Sequence, residues 1–256
     1  MNIQGIWMLI CGTLVFFMQA GFTCYEAGFV QSKNVISVSI ENLLTFTITV
    51  VMFIFVGFPI MFGKSIFSLT GNEYCFLFLQ LMFAAVAVTI FAGAMSERSK
   101  LVALIIASIV AAGIIYPMFG RWVWGSMLGG SGTYLAEMGY MDFAGASVVH
   151  ATGGFITLAG LIVVGKRRET KAGKSNIPLA TLGVFILWFG WLGFNGGNMK
   201  ITSDLMGLVF VNTTVAASFG MAGAIVSNLI FRRKGRYLIS IFNGLLGGLV
   251  AITAMA

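Results

Sequence analysis

Apolar runs of about twenty residues, broken by short polar stretches, recur from one end of the chain to the other. Each is long enough to cross roughly 30 Å of hydrocarbon as a helix. The pattern places spans at 6–30, 36–62, 75–95, 101–119, 143–165, 178–198, 206–231 and 238–256. Helices satisfy their own backbone hydrogen bonds in lipid, and the alternating segments of a membrane β-barrel are absent. The leader MNIQG carries no basic residue, so the first run is expected to be a retained helix and not a cleaved signal. The eighth run ends at VAITAMA without a polar flank and is expected to be unfinished.

Composition supports an all-α polytopic membrane protein. The chain is 59% hydrophobic and 9% charged with a mean hydropathy of +0.98, against about 45–50% and 25% in soluble domains. The three cysteines, Cys11, Cys24 and Cys75, are scattered and odd in number, which fits small packing residues better than disulfides or metal ligands. One histidine, no clustered carboxylates and no phosphate-cradling loop argue against an enzyme. No cofactor or metal is expected.

The formal charge of +7 is informative through its placement. Lys33 lies in the first loop, Arg98 and Lys100 in the third, Lys166, Arg167, Arg168, Lys171 and Lys174 in the fifth, and Arg232, Arg233, Lys234 and Arg236 in the seventh. Only Lys64, Arg121 and Lys200 fall in even loops. The positive-inside rule then puts the odd loops in the cytoplasm and the N-terminus outside. KRRETKAGK and RRKGR read as orientation signals between spans, so no nucleic-acid partner is expected.

Polar residues inside the apolar runs are the candidates for function. His150, in DFAGASVVHATGG, lies about 12 Å beyond Asp142 along a helix, near mid-membrane if Asp142 marks the outer end. An imidazole at that depth either packs through a hydrogen bond to a neighbouring helix or lines a pathway, and it can donate at one nitrogen while accepting at the other. Asp142, directly before the helical run, fits an N-cap. Glu26 and Glu41 fall near inner span ends on either side of Lys33 and read as structural, paired with that lysine or reaching the interface. Trp122 and Trp124 suit either an interfacial belt or a cation–π site. Glycine pairs such as Gly153-Gly154, Gly196-Gly197 and Gly247-Gly248 predict close helix packing.

EAGFVQSKN at 26–34, AGAMSER at 92–98, DFAGASVVHATGG at 142–154, WFGWLGFNGGN at 188–198 and FVNTT at 210–214 together resemble the ammonium transporter (Amt/Mep/Rh) family. The likeness runs through the whole chain in the family's order. It implies a bundle of eleven helices built from two inverted five-helix repeats, assembled as a homotrimer in the cell (inner) membrane. About eight helices are present here: the first repeat at about 6–165 and the start of the second at about 178–256. It further implies outer recruitment of ammonium at Trp124, Phe83 and Thr214 with Asp142 behind them, a gate of stacked Phe83 and Phe210, and a pore lined by His150. The family's second pore histidine is expected beyond Ala256. Ammonium is then deprotonated, and ammonia and a proton pass inward. Membrane lipid and a PII-type regulator at the cytoplasmic face are the other partners implied. The wording MQAGFTCYEAGFVQSKN and YPMFGRWVWG is similar to the branch joined to signalling modules, which keeps an ammonium sensor open beside transport. A truncated, non-conducting relative is a third reading.

Overall fold

The computed structural model describes residues 2–167, 176–231 and 237–256. Arg168, Lys171, Lys174, Arg232, Arg233, Lys234 and Arg236, which contribute to the orientation argument, lie outside these. Among the described residues, seven helices are long and apolar enough to cross a membrane: Ile3–Phe29, Ser32–Phe62, Glu73–Met95, Leu101–Leu128, Ala146–Val164, Ile177–Gly196 and Met206–Ile230, here spans 1 to 7. Span 8, Tyr237–Ile252, has 16 residues. Span 1 starts where Asn2 Oδ1 accepts from Gly5 N at 2.9 Å, and span 6 where Asn176 Oδ1 accepts from Leu179 N at 3.1 Å, both ordinary N-caps.

Span 4 runs on to Leu128, past the expected end at 119, which carries Arg121 and Trp124 onto the helix. The helix passes through Pro117, two residues after a π-helical turn at Ala111–Ile115; span 2 repeats the device with Phe53–Gly57 before Pro59. A proline has no N–H to donate and crowds the carbonyl four residues back, and the wider π turn absorbs the misfit without ending the helix. The two π turns face each other so closely that a Cβ on Gly57 would lie 2.6 Å from the Ala112 carbonyl oxygen.

Span 3 is the axis of the bundle, buried without interruption from residue 79 to 89. A helix buried on all sides has no polar face to display, which matches the unbroken sequence LQLMFAAVAVT. Spans 1 and 6 cross beside it, antiparallel: Trp7 Nε1 donates to Gly196 O at 2.8 Å near one end, and Asn176 N donates to Gly28 O at 2.9 Å at the other. The crossing depends on small residues, since a Cβ on Gly28 would stand 2.6 Å from Ala180 N. Gly153 likewise meets the Ala87 carbonyl of span 3, whereas its neighbour Gly154 faces open space.

The loops segregate into two ends. At one, Lys64 pairs with Glu73, Asn2 N donates to Asn72 Oδ1, and Gln4 Nε2 donates to Met199 O. At the other, Glu97 accepts from Gln31 N at 3.0 Å and Asn34 Nδ2 at 2.7 Å and pairs with Arg167 at 3.2 Å, while Arg98 Nη1 donates to Gly165 O. This basic end gathers the first, third and fifth loops, as the distribution of charge along the sequence requires of an odd-loop face.

Candidate functional site

Asp142 organises the entry to span 5. The helix begins at Ala146, later than the run after Asp142 suggested, with Phe143–Gly145 forming a turn. The carboxylate reaches forward over that turn. Oδ1 accepts from Gly145 N and Ala146 N, both at 2.9 Å; Oδ2 accepts from Ser147 N at 2.9 Å, Val148 N at 2.8 Å and Ser147 Oγ at 2.5 Å. These are the free N–H groups of a helix start, where a negative charge is also favoured by the helix dipole. Gly145 has φ +104°, and a Cβ there would lie 2.6 Å from Val149 and 3.0 Å from Trp124, so the turn needs glycine. Span 5 opens with a π turn, Ala146–Ala151, that ends just after His150.

From this anchor an aromatic ladder descends through the core. Trp124 Nε1 donates to the Asp142 carbonyl at 2.8 Å, which commits the side chain's only donor, and its ring lies 6.1 Å from that of Phe83 with the planes tilted by 47°. Phe83 stacks on Phe194 with centroids 4.2 Å apart and planes at 19°. Phe194 meets His150 at 5.1 Å, and His150 stacks on Trp191 at 4.8 Å and 19°. Trp191 Nε1 donates to Thr253 Oγ1 at 2.8 Å, and Ala144 N and Phe143 N donate to the carbonyls of Thr253 and Ala254. The end of span 8 thus ties the Trp191 side of the ladder to the Asp142 turn.

His150 is 5% exposed, and neither Nδ1 nor Nε2 has a hydrogen-bond partner among the described residues. Buried polar groups are almost always paired, so the two orphaned nitrogens leave unused hydrogen-bonding capacity at the foot of an aromatic stack. Asn195, beside Phe194 on span 6, has its own unpaired Oδ1 and gives Nδ2 to Thr213 Oγ1 at 2.8 Å.

Four of the sequence candidates, Trp124, Phe83, Asp142 and His150, meet in this array. Two do not. The ring stacked on Phe83 belongs to Phe194 and not to Phe210, which sits half-buried with its edge 3.3 Å from the Cβ position of Gly196. Thr214 is exposed, and its hydroxyl donates to Phe210 O. Facing is the physical reason: Thr213 turns toward span 6 and is buried, and its neighbour, about 100° further round the helix, turns away. Trp191 and Phe194 received no role from the sequence, although they share one face of span 6 at a spacing of three residues, as i and i+3 positions do.

A many-spanning helical bundle with an aromatic core around a buried imidazole defines a polytopic membrane protein. The ammonium transporter family model matches residues 6–256, and the chain belongs to that family. It is 38% identical to Ammonium transporter Amt2 of Archaeoglobus fulgidus, over 97% of this chain and 58% of that protein, and 32% identical to an ammonium transporter of Aquifex aeolicus, over 98% and 62%. It therefore spans about three-fifths of the length of these relatives. Among solved structures, one described as a sensor Amt protein superposes with a TM-score of 0.90 at 42% identity, covering 99% of this chain and 68% of that one. The crystal structure of Candida albicans Mep2 superposes at 0.82 with 26% identity, covering 98% and 60%.

Proposed function

We propose that this chain carries ammonium across the membrane by way of the aromatic ladder. The observation that supports it most is His150, whose two ring nitrogens lie buried and unpartnered directly below the Phe83–Phe194 stack. Ammonium is recruited by the faces of Trp124 and Phe83, since aromatic rings attract a cation and the indole N–H is already engaged. Asp142 acts at one remove, holding Trp124 and the start of span 5. A dry constriction penalises any ion that keeps its charge. Ammonium escapes that penalty by releasing a proton, whereas potassium and sodium have no such route. Ammonia then passes Phe83 and Phe194, which must swing apart, and exchanges hydrogen bonds with His150 as donor or acceptor.

Family membership supports the remaining parts of this reading: the two inverted repeats, the N-terminus outside a cell membrane, assembly as a homotrimer and a PII-type regulator at the basic end. Strongly exposed apolar residues such as Phe155, Ile162 and Val163 suit contact with lipid or a neighbouring copy.

A sensor of ammonium is the second reading, favoured by the likeness to the structure described as a sensor Amt protein. Under it, ammonium changes the conformation of the protein and crosses no faster than the bare bilayer allows.

The test is His150→Ala in reconstituted liposomes. Ammonium-dependent flux is expected to fall by at least about tenfold, a barrier increase of roughly 1.4 kcal/mol. Full flux with potassium still excluded would remove His150 from the pathway.

A further inference from the structure

A second ionisable group, half-buried, lies apart from the ladder. Glu26, in the last turn of span 1, points into the seam between spans 1, 2 and 3 and not toward Lys33. Its Oε2 accepts from Asn42 Nδ2 at 2.9 Å. Its Oε1 occupies the space that a side chain at residue 93 would fill, so that Gly93 of span 3 makes room for the carboxylate. Oε1 takes no hydrogen bond, and no basic side chain pairs with Glu26 among the described residues. A carboxylate held by one neutral amide in a lipid-spanning bundle is costly, and such groups are commonly found on proton or substrate routes.

Its surroundings connect it in both directions. Toward the basic end lies a cavity of about 290 Å³ whose walls include Asn34, Val38, Glu41 and Glu97. Val38, a wall residue, and Asn42, which holds Glu26, are one turn apart on the buried stripe of span 2, about 6 Å along the helix. Toward the ladder, Thr89 Oγ1 bonds Gln19 Oε1 at 2.8 Å across the same seam, and Gln19 Nε2 is buried without a partner. Along span 3 the order from the ladder inward is Phe83, Thr89, Gly93. Among the described residues, the ionisable groups at this end of spans 1 to 3 include Cys24 and Tyr25 on its own helix, Lys33 and Glu41 on span 2, and Glu97 and Arg98 in the turn after span 3. Span 3 itself offers the carboxylate only neutral Gly93.

We propose that Glu26 is the inner proton-exchange site of the protein. The inference rests on the transport reading. The proton released when ammonium becomes ammonia at the outer end adds to the Glu26 carboxylate, forming an O–H bond. That bond breaks when the carboxyl passes the proton to water in the basic-end cavity, leaving the carboxylate with its Asn42 hydrogen bond and forming hydronium. One positive charge crosses per cycle, and ammonia travels separately past His150.

Glu26→Gln keeps the shape and removes the exchangeable proton. In liposomes under an inward ammonium gradient, the charge carried is expected to drop by at least about a hundredfold, the low end of what a positioned proton-transfer group contributes. Neutral ammonia flux, followed as internal alkalinisation, is expected to persist. Glu26→Asp should restore current in part. Gly93→Ala, which displaces the carboxylate without altering any ionisable group, should reduce it, and this holds as a second reading should E26Q fold poorly. Wild-type ammonium current with an equal current from E26Q overturns this inference alone. Wild-type protein with no ammonium-dependent flux overturns the transport reading together with it.

Discussion

Asp142→Ala is expected to destabilise the protein by more than about 4 kcal/mol, because several buried or half-buried donors lose a charged acceptor at once and each such loss costs roughly 1–3 kcal/mol without adding fully. Four backbone N–H groups and the Ser147 hydroxyl converge on the one carboxylate. Nothing else in the turn replaces it, since Gly145 carries no side chain and Phe143 and Ala144 are apolar. Asp142→Asn retains one acceptor oxygen but turns an NH₂ toward the remaining donors, so it should fall between wild type and Asp142→Ala. Thermal unfolding of the purified protein in detergent reads both. The effect should extend to transport, because His150 N closes the same π turn on Gly145 O at 3.0 Å, and loosening the turn moves the imbidazole's backbone.

Phe194→Ala removes the ring between Phe83 and His150. Deleting a packed phenylalanine typically costs about 3–5 kcal/mol in a core, and here the void opens in the constriction itself. The expected result is a leak: potassium entry rises and the preference for ammonium over potassium falls at least about tenfold, a shift of roughly 59 mV in reversal potential for a univalent ion. Phe210→Ala, which leaves the Phe83–Phe194 stack untouched, should change selectivity little. Comparing the two variants by liposome flux with each cation separates the ring that closes the ladder from the ring that packs behind it.

The spans were legible because lipid imposes one rule on every segment: an apolar run of sufficient length forms a helix. The basic loops were legible for a similar reason, and the described ones gather at one end through Glu97. What local pattern could not reveal was facing. Thr213 and Thr214 are adjacent identical residues, and only the packing of span 7 against span 6 buries the first and exposes the second. Phe194 and Phe210 are both plausible stacking partners for Phe83 in sequence, yet Phe194 shares its helix face with Trp191 and meets His150. The length of span 4 beyond residue 119 was hidden because Gly120 and Arg121 read as the start of a polar loop, and the π turn that accommodates Pro117 has no separate sequence signature. Asp142 was readable as a cap, although its reach across a three-residue turn was not. Glu26 gave a misleading signal, since a basic residue nearby in sequence suggested an ion pair, and Asn42 and Gly93 are brought to it by the packing of three helices.

Under the proposed function, the ladder from Trp124 to His150 passes ammonium as ammonia and a proton while rejecting ions that cannot give up their charge. The most direct measurement is current from the reconstituted wild-type protein under equal inward gradients of ammonium and of potassium. Current is expected with ammonium and none above empty liposomes with potassium; equal currents for the two cations, or none for ammonium, would contradict selective passage through the ladder.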